Sequence, residues 1–160
     1  MNKFVIRLSS STLLAVFIGI TSAPSSFSQR KYVTPPKTNC FIHVGDAHIS
    51  TSIFRKEGRR AIKINAYSEC DVPQKGVILT IKIFKKGFGP PHLVVQKSTK
   101  GDNPRSQGFI VKNQFTFEYC KNRIKSEFYG IAFSSALING KRYTAPPVWS
   151  ENTVELKCGT

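Results

Sequence analysis

Three histidines, His43, His48 and His92, are the candidate proton-transfer groups of this chain. An exported basic domain that cleaves RNA uses one histidine as general base and a second as general acid. A lysine then stabilises the phosphorane charge. His92 closes the stretch KKGFGPPH, residues 85–92, and with Lys85 or Lys86 supplies half of that set. His43 and His48 fall in or near the first strand-like run, where a half-exposed sheet position is the ordinary role. Glycoside hydrolysis needs two facing carboxylates. Glu118 and Glu127 come nearest to a pair, and each has a plain surface reading. No GxSxG, HExxH or glycine-rich phosphate loop is present. Four cysteines without CxxC or Cys/His spacing point to disulfides rather than zinc. The residues therefore read as those of a binding protein, not an enzyme, with no metal and no cofactor.

What the residues do offer is positive charge. The formal net charge is +15, with 24 Lys and Arg against 9 Asp and Glu. Such an excess favours anionic partners. Three candidate turns concentrate it: RKEGRR (55–60), KKGFGPPH and KNRIK (121–125). They carry Arg55, Lys56, Arg59, Arg60, Lys85, Lys86, Lys121, Arg123 and Lys125, with Glu57 as the single acid. Lys75, Lys97, Lys100, Arg105, Lys141 and Arg142 fall in other turns, so the asymmetry is partial. Phe88 stands among the cations of KKGFGPPH, between Gly87 and Gly89 and ahead of Pro90–Pro91. An exposed ring in a stiff basic loop can stack on a sugar or base, or enter a partner's pocket. The alternative is a ring folded back over the core.

The N-terminus reads as an export signal. MNKFVIR is basic, LLAVFIGI (13–20) is apolar, and TSAPSSFS is small and polar. The apolar run is shorter than the roughly 20 residues that span a bilayer. Cleavage is expected after Ser28. Residues 1–28 are then a signal peptide, 29–39 a polar tail and 40–160 one domain with no transmembrane segment. Losing Lys3 and Arg7 leaves a charge of about +13. Export is also the setting in which Cys40, Cys70, Cys120 and Cys158 form two disulfides.

Alternation dominates the domain. Ile62, Ile64 and Ala66 share one face of a run ending at Cys70. Val77, Leu79, Ile81 and Ile83 share a face of the next. A short run starts at Leu93, others at Gly108, Phe128 and Asn152, and no helical stripe appears. Asn139–Gly140 suits a type I′ hairpin turn, and Pro146–Pro147 should break the returning strand. About seven to eight short strands predict an all-β, antiparallel, immunoglobulin-like sandwich. If strand directions alternate, Cys40 and Cys70 share one end and Cys120 and Cys158 the other. A fold-back at 139–140 also brings residue 120 opposite about 158. The expected pairs are Cys40–Cys70 and Cys120–Cys158, each clamping one sheet. The same alternation sends all three basic turns to a single pole.

The leader, CDVP after the second strand, the LINGK hairpin and the terminal LKCGT resemble small secreted bacterial two-disulfide β-sandwich proteins of unassigned function. The resemblance implies location and fold and transfers no catalytic residue. The functional expectation is a secreted cationic binding module that docks on an anionic polymer or surface through the basic pole: cell-envelope polymer, acidic glycan or nucleic acid. The candidate contacts are the nine cations of the three turns with Phe88 and His92. A protein-interaction domain, recognising by loop or edge strand and possibly inhibitor-like, is the alternative. A small secreted hydrolase or ribonuclease is the second.

Overall fold

The computed structural model describes residues 27–31, 38–103 and 110–160. The expected leader up to Ser26, residues 32–37 of the expected tail, and Arg105 lie outside them. In chain order the elements are β1 (Phe27–Lys31), β2 (Cys40–Gly45), β3 (His48–Ile49), α1 (Thr51–Glu57), β4 (Ala61–Lys63), β5 (Ala66–Cys70) and β6 (Gln74–Lys86). They continue with β7 (His92–Asn103), β8 (Ile110–Asn113), β9 (Phe117–Tyr119), β10 (Asn122–Ile138), β11 (Lys141–Thr144), β12 (Val148–Trp149) and β13 (Val154–Gly159). The chain is mostly β, and its strand pairs are antiparallel.

One sheet has the order β1-β2-β5-β8, a second β11-β10-β6-β7, and a third β3-β4-β9. β12 and β13 both add to β10. The inward stripes follow from period-two alternation. Ile62, Ile64, Leu79, Ile81 and Ile83 are fully buried, and Ala66 nearly so. They join Ile42, Val44, Phe128 and Ile138 in one core cluster that draws on all three sheets. Gly130 marks a close approach within the core. A Cβ there would lie 2.5 Å from Ile64 Cδ1, so no larger residue fits without moving the core.

Several elements differ from the sequence expectation, each for a local reason. The strands number more than seven or eight because the long runs divide. Residues 61–70 split at Ile64–Asn65 into β4 and β5, which belong to different sheets. The Ile64 N–H turns to the Thr116 carbonyl, while the Asn65 carbonyl accepts from the Gly45 N–H. The short strand at Leu93 is part of a 12-residue β7 that runs through KGDN. β1 pairs with β2 across the join between the expected leader and tail.

RKEGRR is not a simple turn. It begins inside α1, whose Ser50 side chain accepts from the Ile53 N–H at 3.3 Å. Gly58, at φ 65°, ends the helix by donating to the Phe54 carbonyl at 2.9 Å. KNRIK is likewise mostly strand, since β10 starts at Asn122. Asn139 (φ 50°) and Gly140 (φ 78°) form the hairpin between β10 and β11.

Two disulfides clamp the sheets. Cys40–Cys70 joins directly paired residues of β2 and β5, with Cα atoms 4.0 Å apart. Cys120–Cys158 ties the approach to β10 to β13, with Cα atoms 4.8 Å apart. Among the described residues no helix is long and apolar enough to cross a membrane.

Candidate anion-binding site

Six of the nine cations of the three basic turns fall into two groups, both along the first residues of β10. The first lies between α1 and the Cys120–Cys158 disulfide. Backbone bonds build it: Cys120 N–H donates to the Arg60 carbonyl at 3.0 Å, and Lys121 N–H to the Gly159 carbonyl at 2.7 Å. These fasten the end of β13 and the loop after α1 to one short link. Arg60 Nη2 donates to the Lys157 carbonyl at 3.2 Å. Its Nε is buried with no hydrogen-bond partner. Arg60, Lys121 and Arg123 border a cleft of about 330 Å³ with Phe54, Gly58 and Asn122, and no acid lines it. Among the described residues no carboxylate pairs with any of the three. A smaller slot of about 180 Å³ adjoins it, sharing Phe54 and Arg60 and adding Ile49, Thr51 and Arg55.

The second group surrounds the β6–β7 hairpin. Lys85, Lys86 and Phe88 border a cavity of about 460 Å³ with Lys125, Glu127 and Glu155. Here the charge is compensated. Lys86 lies 3.2 Å from Glu127 and Lys125 2.7 Å from Glu155. The hydrogen bond and charge of Glu155 hold the Lys125 ammonium above its usual range. Glu127 and Glu155 sit directly opposite one another on β10 and β13. Glu57 is still the single acid within the three turns, and two more carboxylates, Glu127 and Glu155, arrive from strand faces.

Arg59 lies over the Tyr119 ring at 3.6 Å, and the Tyr119 hydroxyl donates to Glu57. That bond raises the Tyr119 pKa above its ordinary value. Arg55 and Lys56 occupy the last turn of α1. Phe88 is fully exposed at the hairpin tip rather than folded over the core. Its loop turns through Gly89 at φ 108°. His92 pairs with Lys85 at the start of β7.

The three histidines occupy separate elements with separate partners. His43 stacks on Tyr67 at 4.2 Å and lies 3.6 Å from Glu69. Burial lowers its pKa against the opposing pull of Glu69. His48 Nδ1 meets the Asp46 carbonyl at 3.1 Å. Glu118 accepts from the Tyr119 N–H. It sits on β9, in a different sheet from Glu127, so these two do not form a facing pair. The ligand-like cluster Cys40, Cys70 and Asp71 has both sulfurs consumed by the disulfide.

Phe54, Asn122 and Glu155 escape sequence reasoning. Phe54 had one available signal, the Ser50 and Gly58 caps that delimit its helix. Asn122 and Glu155 had none, because strand register alone brings them in. Comparison of the chain with protein-family models, curated proteins and solved structures found no match.

Proposed function

We propose that this chain is a secreted cationic binding domain, an immunoglobulin-like sandwich, that docks on an anionic polymer or surface through Arg60, Lys121 and Arg123. One observation carries the reading: these three cations converge on a cleft that contains no acid. Elsewhere Lys86 and Lys125 pair with carboxylates, and Arg59, Lys82, Lys97 and Lys141 lie over aromatic rings. An oxyanion arriving in the cleft would meet a guanidinium suited to two-point recognition. The resemblance to two-disulfide secreted proteins supports export.

The test is binding of the oxidised protein to a polyanion panel across a salt series. With single-stranded RNA, each phosphate contact contributes about 0.7 to the slope of log K against log salt. The double variant Lys121→Glu, Arg123→Glu should lower that slope by about 1.4 and abolish binding at physiological salt. An unchanged slope would reduce the pole to solvated turns. The polymers are checked afterwards for cleavage, which would favour a hydrolase.

Phe88 favours a second reading. A fully exposed ring on a stiff hairpin suits insertion into a protein pocket. That mode predicts salt-tolerant binding lost in Phe88→Ala.

A further inference from the structure

We infer that the cleft between α1 and the Cys120–Cys158 disulfide holds one acidic sugar residue of a polysaccharide. The ring packs on Phe54, and the carboxylate or sulfate lies among Arg60, Lys121 and Arg123. This rests on the anion-docking reading of the same pole and specifies the polymer.

Arg59 covers Tyr119, Lys97 lies over Phe117 at 4.4 Å, and Lys82 over Phe133 at 5.4 Å. Phe84 and Tyr129 stack on each other at 5.4 Å. Phe54 is 52% exposed, and among the described residues no ring or cation is stacked on it. Phe88 is open too, but it borders the hairpin cavity, where Glu127 and Glu155 answer the lysines. At Phe54 an exposed ring borders Arg60, Lys121 and Arg123 in a cleft that no acid lines.

The kind of polymer follows from that count. Single-stranded nucleic acid binds by laying successive bases on successive aromatic faces along a basic groove. Here one open ring borders the cations and its neighbours are taken, which suits a single ring anchored beside its own charge. A sugar has an apolar C–H face for Phe54 and polar edges for the rim. Asn122 Oδ1 already accepts from the Ile124 N–H at 2.9 Å, which turns its amide into a donor for hydroxyls. The 180 Å³ slot beyond Phe54, walled by Ile49, admits a substituent of acetyl size.

The test titrates the oxidised protein with four oligosaccharides or oligonucleotides of equal length: oligogalacturonate, a sulfated oligosaccharide, a neutral oligosaccharide and oligouridylate. Affinity is read by calorimetry and location by amide chemical shifts. The carboxylated or the sulfated sugar should shift amides of residues 51–60 and 119–123, and comparing them identifies the anion. Phe54→Ala should weaken that sugar about tenfold, and Phe54→Trp should retain it. Oligouridylate should bind more weakly and be indifferent to Phe54. If Phe54→Ala binds like wild type while Lys121→Gln, Arg123→Gln loses affinity, the cleft reads charge alone; this inference fails and the docking function stands. Tighter, Phe54-dependent binding of oligouridylate likewise overturns the sugar. Binding to none of the anionic probes overturns both. Phe54 makes little core contact, so thermal melts of its variants should match wild type.

Discussion

Gly130 lets the long strand β10 lie against Ile64, and replacing it by alanine measures how tightly the core is closed. The added Cβ would meet Ile64 Cδ1 at 2.5 Å and Cγ2 at 3.2 Å. Carbon atoms settle at about 3.5–4.0 Å, so Cδ1 must retreat by about 1 Å. Ile64 is fully buried among Ile62, Ile81 and Phe128, and a close-packed interior offers it nowhere to go. Overpacking of this kind costs about 1–3 kcal/mol, offset by about 0.4–1 kcal/mol from a less flexible unfolded chain. Gly130→Ala should therefore destabilise by about 1–2 kcal/mol in guanidinium unfolding of the oxidised protein, with an unchanged m-value. Ile64→Val removes the offending Cδ1. Alone it should cost about 0.5–1.5 kcal/mol. In the Gly130→Ala background it should cost less or restore stability, giving a coupling energy of opposite sign to the single effects. A neutral Gly130→Ala, or a rescue that does not occur, would refute the close approach.

Glu127→Gln with Glu155→Gln frees Lys86 and Lys125, so the salt slope for single-stranded RNA should steepen by about 1.4; no change would exclude the hairpin group from the docking surface. Removing Cys120–Cys158 by double alanine substitution opens a loop with sequence separation 38, which chain entropy values at about 4 kcal/mol. Denaturant midpoints should fall accordingly, and polyanion affinity should fall with them, because that bridge walls the cleft. Burial depresses the His43 pKa, so the unfolded chain takes up its proton first as pH falls. The stabilisation is complete above about pH 6.5 and is lost as pH drops through the lower folded value. Urea midpoints of wild type should decline between about pH 7 and 5, more steeply than those of His43→Phe.

The inward stripes of β4, β5 and β6 are legible in the sequence because a two-residue period survives wherever one face is buried. The disulfide pairing is legible for a related reason, since alternating strand directions sort cysteines by end. α1 is not legible. A seven-residue helix that buries only Ile53 leaves no 3.6-residue stripe to detect, and its caps resemble turn residues. The basic turns are visible as charge, but their compensation is not. Glu127 and Glu155 reach Lys86 and Lys125 through the register of β10 with β6 and β13, and that register shifts at an irregularity between Asn122 and Lys125. Hairpin counting from Asn139–Gly140 loses accuracy over such a distance. The same limit hides Phe54, whose value depends on which other rings already carry a cation.

The cleft is assembled across a long span of chain. Arg60 is anchored to Lys157 and Lys121 to Gly159, so its walls meet only when β13 has docked beside β10. Docking is therefore a gate on recognition. An anion that binds the finished cleft must also stabilise β13 against local opening, by an amount that grows with its concentration. Amide exchange in Val154–Gly159 should slow when ligand is present, although the ligand need not touch most of that strand. Peeling β13 away would take apart the walls of the cleft proposed to dock a polyanion, and would draw Cys158 and Leu156 out of the core cluster with it.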